Sequence, residues 1–390
     1  MLIEVRKAGF VNKGAQLMLL AIKQQVLQRY PEARLAMAPS RNSGSQPIHR
    51  IREHGMRAKA AFWRSGVQWG DLAAYLPHSI RHTLGLVLDR EVDGVLDAAG
   101  FAYGRPWPDR NLAELASAAR RWRQRGTALV LLPQAFGRFD TTAAQDAIRL
   151  VVDSAALIYA RDDQSLNHLR AAVGDRASLR FAPDFTSLLE GCLPEPQLAS
   201  QLRTSIAIVP NARMLDKTSP VVRDQYLPFL QHCITNLHAR SLGIALIVHG
   251  GGEDRALAEQ LHQSHPDCRL ITESDPLRVK GLLRACRGSI GSRYHGLVSC
   301  LSQGVPAFGT SWSHKYQALY ADYDFKAGLI DSLSTDAADE ISQRLADDHW
   351  MMTTRQQLLT AAEQQKQASK AMWKEVFGVI DNAVQRRAAR

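Results

Sequence analysis

Cysteine is scarce: five in 390 residues (Cys192, Cys233, Cys268, Cys286, Cys300), odd in number and without a C-x-x-C pair. That spacing excludes a disulfide framework and points to reduced thiols packed as small apolar side chains. Long apolar runs are also missing, and nothing approaches the roughly 18 residues of a membrane-spanning helix. The opening Met1-Leu2-Ile3-Glu4-Val5-Arg6-Lys7 carries charge where a secretory signal needs an apolar stretch of about 7–15 residues. It reads as a first core strand, and the expected compartment is the cytoplasm. Walker A and G-x-G-x-x-G sequences are absent, which removes a P-loop and weakens a dinucleotide site. His249-Gly250-Gly251-Gly252 resembles a hydrolase oxyanion loop, but without a G-x-S-x-G elbow an esterase is set aside. His262-Gln-Ser-His265-Pro-Asp-Cys268 lacks a fourth ligand nearby, so no metal is assigned.

The composition that remains is ordinary for a folded protein, 45% hydrophobic and 22% charged, and the length fits two domains. The formal charge of +10 favours anionic partners. Runs such as Arg120-Arg121-Trp122-Arg123-Gln124-Arg125 also read as solvated helix faces. No zinc-finger, helix-turn-helix or RNA-binding signature supports nucleic acid as a partner.

Short apolar runs alternate with helical stretches of 10–20 residues. In the second half the strands are Ser205–Pro210, Ile244–His249, Arg269–Thr272, Gly288–Ser292 and Val305–Phe308. In the first they are Leu2–Val5, Leu35–Ala38, Gly94–Ala98, Ala128–Leu132, Ala156–Tyr159 and Leu179–Ala182, with helices over Gln16–Arg29 and Leu112–Gln124. Such alternation implies crossover units and parallel sheets covered on both faces. The expected architecture is α/β: two Rossmann-like doubly wound domains, 1–195 and 196–335, facing across a cleft, with a hinge near Leu193-Pro-Glu-Pro196. A helical segment, 336–390, braces the first domain. Residues 40–84 have no regular pattern.

In such sheets ligands sit at the carboxyl ends of strands. The richest end is Ser292-Arg293-Tyr294-His295-Gly296, where a strand gives way directly to a helix. A helix N-terminus attracts anions, an arginine grips phosphate or carboxylate in a fork, and a histidine can give a proton near neutral pH. Asn211 and Arg213 follow another strand, and Gly250–Gly252 offers backbone amides or a tight turn. In the first half, Asn12-Lys13-Gly14-Ala15-Gln16 suits sugar hydroxyls or helix capping. Gln134, Arg161-Asp162 and Pro183-Asp184 each close a strand, with Asp162 equally suited to a helix N-cap.

Taken together, Asn12-Lys-Gly14, Leu132-Pro133-Gln134, Ala160-Arg161-Asp162 with Ser165, Pro183-Asp184, Ser292-Arg293-Tyr-His295, Gly304-Val-Pro306 and Lys315 resemble the polysaccharide pyruvyltransferases, in that family's order. The resemblance implies a GT-B-like pair of domains, phosphoenolpyruvate as donor, and a sugar of a cell-surface polysaccharide or its lipid-linked oligosaccharide precursor as acceptor. A cyclic ketal forms and phosphate leaves. Donor contacts are expected from Arg213, Gly251, Arg293, His295 and Lys315, with Arg293 and His295 catalytic. Acceptor contacts are expected from Asn12, Gln16, Gln134, Arg161 and Asp184. No cofactor is expected, and peripheral contact with the inner membrane face is. Ala15-Gln16 departs from the aspartate common after the glycine, which bears on the acceptor. A nucleotide-sugar glycosyltransferase and a non-catalytic glycan- or nucleic-acid-binding protein are the rival readings.

Overall fold

The computed structural model describes residues 1–40, 43–61, 63–64, 67–311 and 315–389, with backbone only at 63, 64, 67, 68 and 71. By contact the chain forms two compact units. One holds Met1–Val11, Met18–Phe185 and Ala368–Arg390, and the other holds Asn12–Leu17 and Thr186–Gln367.

The first unit is built on a sheet whose strands are β1 (Leu2–Arg6), β2 (Arg34–Met37), β3 (Arg57–Lys59), β4 (Leu86–Val87), β5 (Gly94–Asp97), β6 (Phe101–Tyr103), β7 (Ala128–Phe136), β8 (Leu157–Ala160) and β9 (Leu179–Phe181). The order is β9-β8-β7-β5-β1-β2-β3-β4, with β6 beside β7, and the pairings are parallel. All nine residues of β7 are buried, the continuous apolar reading that two covered faces require. The strand runs on through Pro133 where the sequence suggested an end at Leu132. Leu131 pairs Ile158 and Gln134 pairs Ala160, so β7 carries one extra residue at this step. A bulge there accommodates the amide that proline lacks. Gln134 therefore lies inside a strand, not after one.

Charge is also buried in this unit. The Lys59 ammonium is bonded to Glu4 and lies 2.6 Å from Asp89, which also accepts from Trp122 (2.9 Å) and Arg125 (2.7 Å). From the C-terminal stretch, Asp381 accepts from Tyr30 at 2.7 Å, Glu375 accepts from Tyr159 at 3.0 Å, and Arg387 reaches Asp93 at 3.1 Å. The described residues of 40–84 include the short helices Pro47–Glu53 and His78–Thr83 and a 3-10 helix, Trp69–Tyr75, along with β3.

The second unit has β10 (Ser205–Val209), β11 (Gly243–Val248), β12 (Arg269–Thr272), β13 (Gly288–Gly291), β14 (Ala307–Thr310) and β15 (Leu329–Ile330), all parallel, in the order β12-β11-β10-β13-β14-β15. The winding reverses between β10 and β13, the position where doubly wound sheets take ligands. β14 starts two residues later than its apolar run, because Gly304 turns at φ +73° and Pro306 cannot donate into the ladder. Cys233, Cys268, Cys286 and Cys300 are buried and Cys192 is exposed. Burial pushes the thiols of Cys233 and Cys300 up to about 12. No helix among the described residues is long and apolar enough to cross a membrane.

Candidate active site

At the switch point of the second sheet, the chain leaving β10 and the chain leaving β13 are locked together by buried polar groups. Asn211 Nδ2 donates to the Ser292 carbonyl at 2.6 Å, and the Tyr316 hydroxyl donates to the same oxygen at 2.8 Å. Tyr226 Oη lies 2.9 Å from Ser292 Oγ and accepts from the Asn211 amide at 3.0 Å. Each of these groups is buried, so every unmade bond would carry a desolvation cost of about 1–3 kcal/mol. The knot fixes how Arg293 enters the helix Tyr294–Leu301, as its extended N-cap residue (φ −92°, ψ 115°).

Arg293 is held by Asp254. Its Nε donates to Asp254 Oδ2 at 2.6 Å, and its Nη2 donates to Asp254 Oδ1. Asp254 is fully buried and also accepts from the Ala212 amide at 3.0 Å, so one carboxylate ties together the loops after β10, β11 and β13. A guanidinium carries five N–H groups, and this pair uses two of them. Gly250 makes the approach feasible: a Cβ there would lie 2.1 Å from Asp254 Oδ2 and 2.6 Å from Arg293 Nη2. Gly251, the N-cap of the helix Gly252–Ser264, and Gly252 both have open space at the Cβ position. The triple glycine thus has its strict requirement at its first position. Asp254 was not singled out from sequence. The available signal was an acidic residue in the first turn of the helix after the glycines.

Around Arg293 lie His249, His295 and Lys13. His249 is 3% exposed, and burial first, then the charges of Arg293, His295 and Lys13, hold its pKa well below the ordinary histidine value. It is therefore a neutral imidazole at physiological pH. Lys13 is lowered by burial, against the opposing pull of Glu273 and Asp254. Gly14 lies against the His295 ring, where a Cβ would be 2.2 Å from Nδ1. The Asn12-Lys13-Gly14 turn, closed by Gly14 N–H to Asn12 Oδ1 at 2.8 Å, is thereby brought to Arg293-Tyr294-His295. Asn12 is exposed and Gln16 half-buried. Sequence reasoning had paired Arg293 with His295 but missed His249 and Lys13 as their neighbours.

The remaining expected residues have partners of their own. Arg213 is ion-paired to Asp216 and, at 3.0 Å, to Glu253. Lys315 Nζ stands 5.0 Å from the Tyr294 ring centroid and 5.6 Å from that of Tyr316, a cation–π arrangement. In the first unit, Arg161 pairs with Asp184 at 3.2 Å, donates to the Gly100 carbonyl at 3.3 Å, and gives its amide to the Gln134 carbonyl at 3.0 Å. These three residues therefore meet. The Gln134 side chain is wholly buried, with neither polar atom bonded among the described residues. Asp162 is the helix N-cap, accepting from the Ser165 amide at 2.7 Å. His262 Nδ1 lies 3.0 Å from the Cys268 carbonyl.

Several known proteins are similar to this chain. The UDP-GlcNAc 2-epimerase of Neisseria meningitidis, solved bound to UDP-GlcNAc, superposes with a TM-score of 0.58 at 10% identity over 97% of this chain and 99% of its own. HepE of Anabaena in complex with UDP gives 0.59 at 13% identity, over 98% of this chain and 99% of its own. MnaA of S. aureus with UDP gives 0.55 at 10% identity, over 91% and 90%. The fold is therefore the GT-B class, two α/β units each on a parallel sheet. No curated protein matches by sequence. The family profile for polysaccharide pyruvyl transferase matches residues 12–314.

Proposed function

Since this chain belongs to the polysaccharide pyruvyl transferase family, we propose that it moves a pyruvyl group from phosphoenolpyruvate onto two hydroxyls of one sugar, forming a cyclic ketal and releasing phosphate. The observation that supports the donor is the cluster of Lys13, His249, Arg293 and His295 at the switch point of the second sheet. Phosphoenolpyruvate carries a phosphate and a carboxylate, and the cationic groups of Lys13 and Arg293 in a partly desolvated site favour such a ligand. Protonation of its methylene carbon makes C2 electrophilic. One sugar hydroxyl adds there and gives up its proton, restoring the one placed on the methylene; the C2–O bond to phosphate then breaks, and the second hydroxyl closes the ring as its proton leaves with the phosphate.

His295 is the proposed proton donor. The neutral His249 beside it adds no charge and keeps a nitrogen able to accept a hydrogen bond. Arg293, oriented by Asp254, offers its remaining N–H groups to the donor's anionic groups, with Arg213, Gly251 and Lys315 as further donor contacts. Asn12, Gln16, Gln134, Arg161 and Asp184 are the proposed acceptor contacts. The Arg161–Asp184 pair would then serve to orient Gln134. The acceptor is a cell-surface polysaccharide sugar or its lipid-linked precursor, met in the cytoplasm at the inner membrane face.

A nucleotide-sugar reading is favoured by one observation, the fold shared with proteins solved with UDP. A thermal-shift titration separates the two. Phosphoenolpyruvate should raise the unfolding midpoint, and UDP or GDP should leave it unmoved. Stabilisation by UDP alone would overturn the phosphoenolpyruvate reading.

A further inference from the structure

The second unit has another cationic site, at the opposite ends of its strands. A cavity of about 520 Å³ is lined by Arg203, Arg284, Arg287 and Arg355, with Leu193 and Met352 among its apolar walls. Arg203 stands two residues before β10 and Arg287 one residue before β13, whose amide bonds to the Ser205 carbonyl at 2.9 Å. The cavity thus lies at the amino ends of the strands, whereas Asn211, His249 and Arg293 lie at their carboxyl ends.

Arg287 is committed. It donates to the carbonyls of Leu345 (2.8 Å) and Ala346 (3.2 Å) and reaches Asp348 at 2.6 Å. Arg203, Arg284 and Arg355 are exposed and form no ion pair among the described residues. Arg203 caps the carboxyl end of helix Pro196–Leu202 and Arg284 sits in the last turn of Pro276–Ala285. Helix dipoles favour each of these singly. They do not account for convergence with Arg355, the eighth residue of the helix Asp348–Ala388 and far from its carboxyl end. Though still exposed, Arg355 is partly covered where it lines the cavity and stands near the Arg287 charge, and both weigh against its proton, so a bound anion would relieve the repulsion. At the rim, Leu193 is 58% and Met352 67% exposed, apolar surface set beside the cations.

We propose that this cavity binds a phosphoryl or diphosphoryl group, with Arg203, Arg284 and Arg355 gripping the oxygens and Leu193 and Met352 seating the carbon portion attached to it. The group could be the head of an anionic lipid or part of a soluble phosphate compound, which share this chemistry. The site is separate from the one assigned to the donor and does not depend on that assignment.

The test uses the full chain and Arg203→Gln/Arg284→Gln, two surface changes outside the catalytic machinery, with Arg203→Gln/Arg355→Gln as a second variant. Inorganic pyrophosphate is titrated calorimetrically. In parallel, co-sedimentation is measured with phosphatidylglycerol-containing and with pure phosphatidylcholine vesicles. Pyrophosphate affinity falling at least tenfold in both variants, with vesicle binding unchanged, identifies a soluble phosphate ligand. Loss of binding to the anionic vesicles alone, with Met352→Asp giving the same loss, identifies a lipid headgroup. If both variants fold with the native unfolding midpoint and bind pyrophosphate and vesicles as the unaltered chain does, the proposal is overturned.

Discussion

Gly14 and His295 are in direct contact, 281 positions apart in the chain: a methyl group on Gly14 would lie 2.2 Å from the imidazole Nδ1. No tolerable packing survives at that distance, so the absent side chain of residue 14 sets where the ring stands.

Gly14→Ala should therefore displace His295 while leaving the fold nearly unchanged. Misplacing a reacting group by about 1 Å can cost on the order of 10²-fold in rate. Phosphate release from phosphoenolpyruvate should fall by about that factor, with an unfolding midpoint close to that of the unaltered chain. Full turnover in this variant would separate the ring's position from the chemistry.

His295→Gln keeps hydrogen-bonding capacity and removes the transferable proton. Turnover should drop about 10²-fold or more, the usual size of a general-acid contribution. The limb of the rate profile governed by that proton should disappear with it. Retention of that limb would assign the proton to another group.

Asp254→Ala removes the only carboxylate holding Arg293 among the described residues, together with the acceptor for the Ala212 amide. Breaking one side of a buried ion pair costs about 3–5 kcal/mol. Urea unfolding should show a loss of that order, reduced somewhat because the Arg293 side chain is 17% exposed. Asp254→Asn, which still accepts, should recover part of the stability but only part of the activity.

The pH dependence of stability follows from His249. Its folded pKa lies well below the ordinary value, so the unfolded chain binds the proton first. Stability is then lost as pH falls below about 6.5, by up to about 1.4 kcal/mol per unit. His54 and His265 share the direction but are half-buried. Further down, Asp89 contributes. Burial would raise it, yet Lys59, Trp122 and Arg121 hold it below the usual range, so its contribution is lost as pH falls below about 4. His249→Asn should flatten the upper part of the acid transition and leave the lower part. An unchanged profile between pH 6.5 and 5 would assign that part to other groups.

Much of this was legible in the sequence because it is local. Apolar runs between helical stretches mark six of the nine strands of the first sheet and five of the six of the second, missing the two- and three-residue strands β3, β4, β6 and β15, and the residues after β10, β11 and β13 stand out by their position. Asp162 showed itself as a cap three residues before Ser165. What stayed hidden depends on distance across the fold. Asp254 meets Arg293 across 39 positions, and Arg213 finds Glu253 and Asp216 in its way. Pro133 reads as the end of a strand because a bulge, which lets proline sit inside a sheet, leaves no mark in composition. The buried Lys59 with Glu4 and Asp89 was missed because no periodicity announces a charge taken out of water with its partners.

Thiol chemistry offers a route to the arginine-lined cavity. Four of the five sulfurs are sealed within the protein and one, Cys192, is open to solvent, directly next to Leu193 on the cavity wall. A thiol-reactive fluorophore added to the unaltered chain would thus attach at one position, the residue before the cavity-lining Leu193. Its emission would report occupancy without any engineered cysteine.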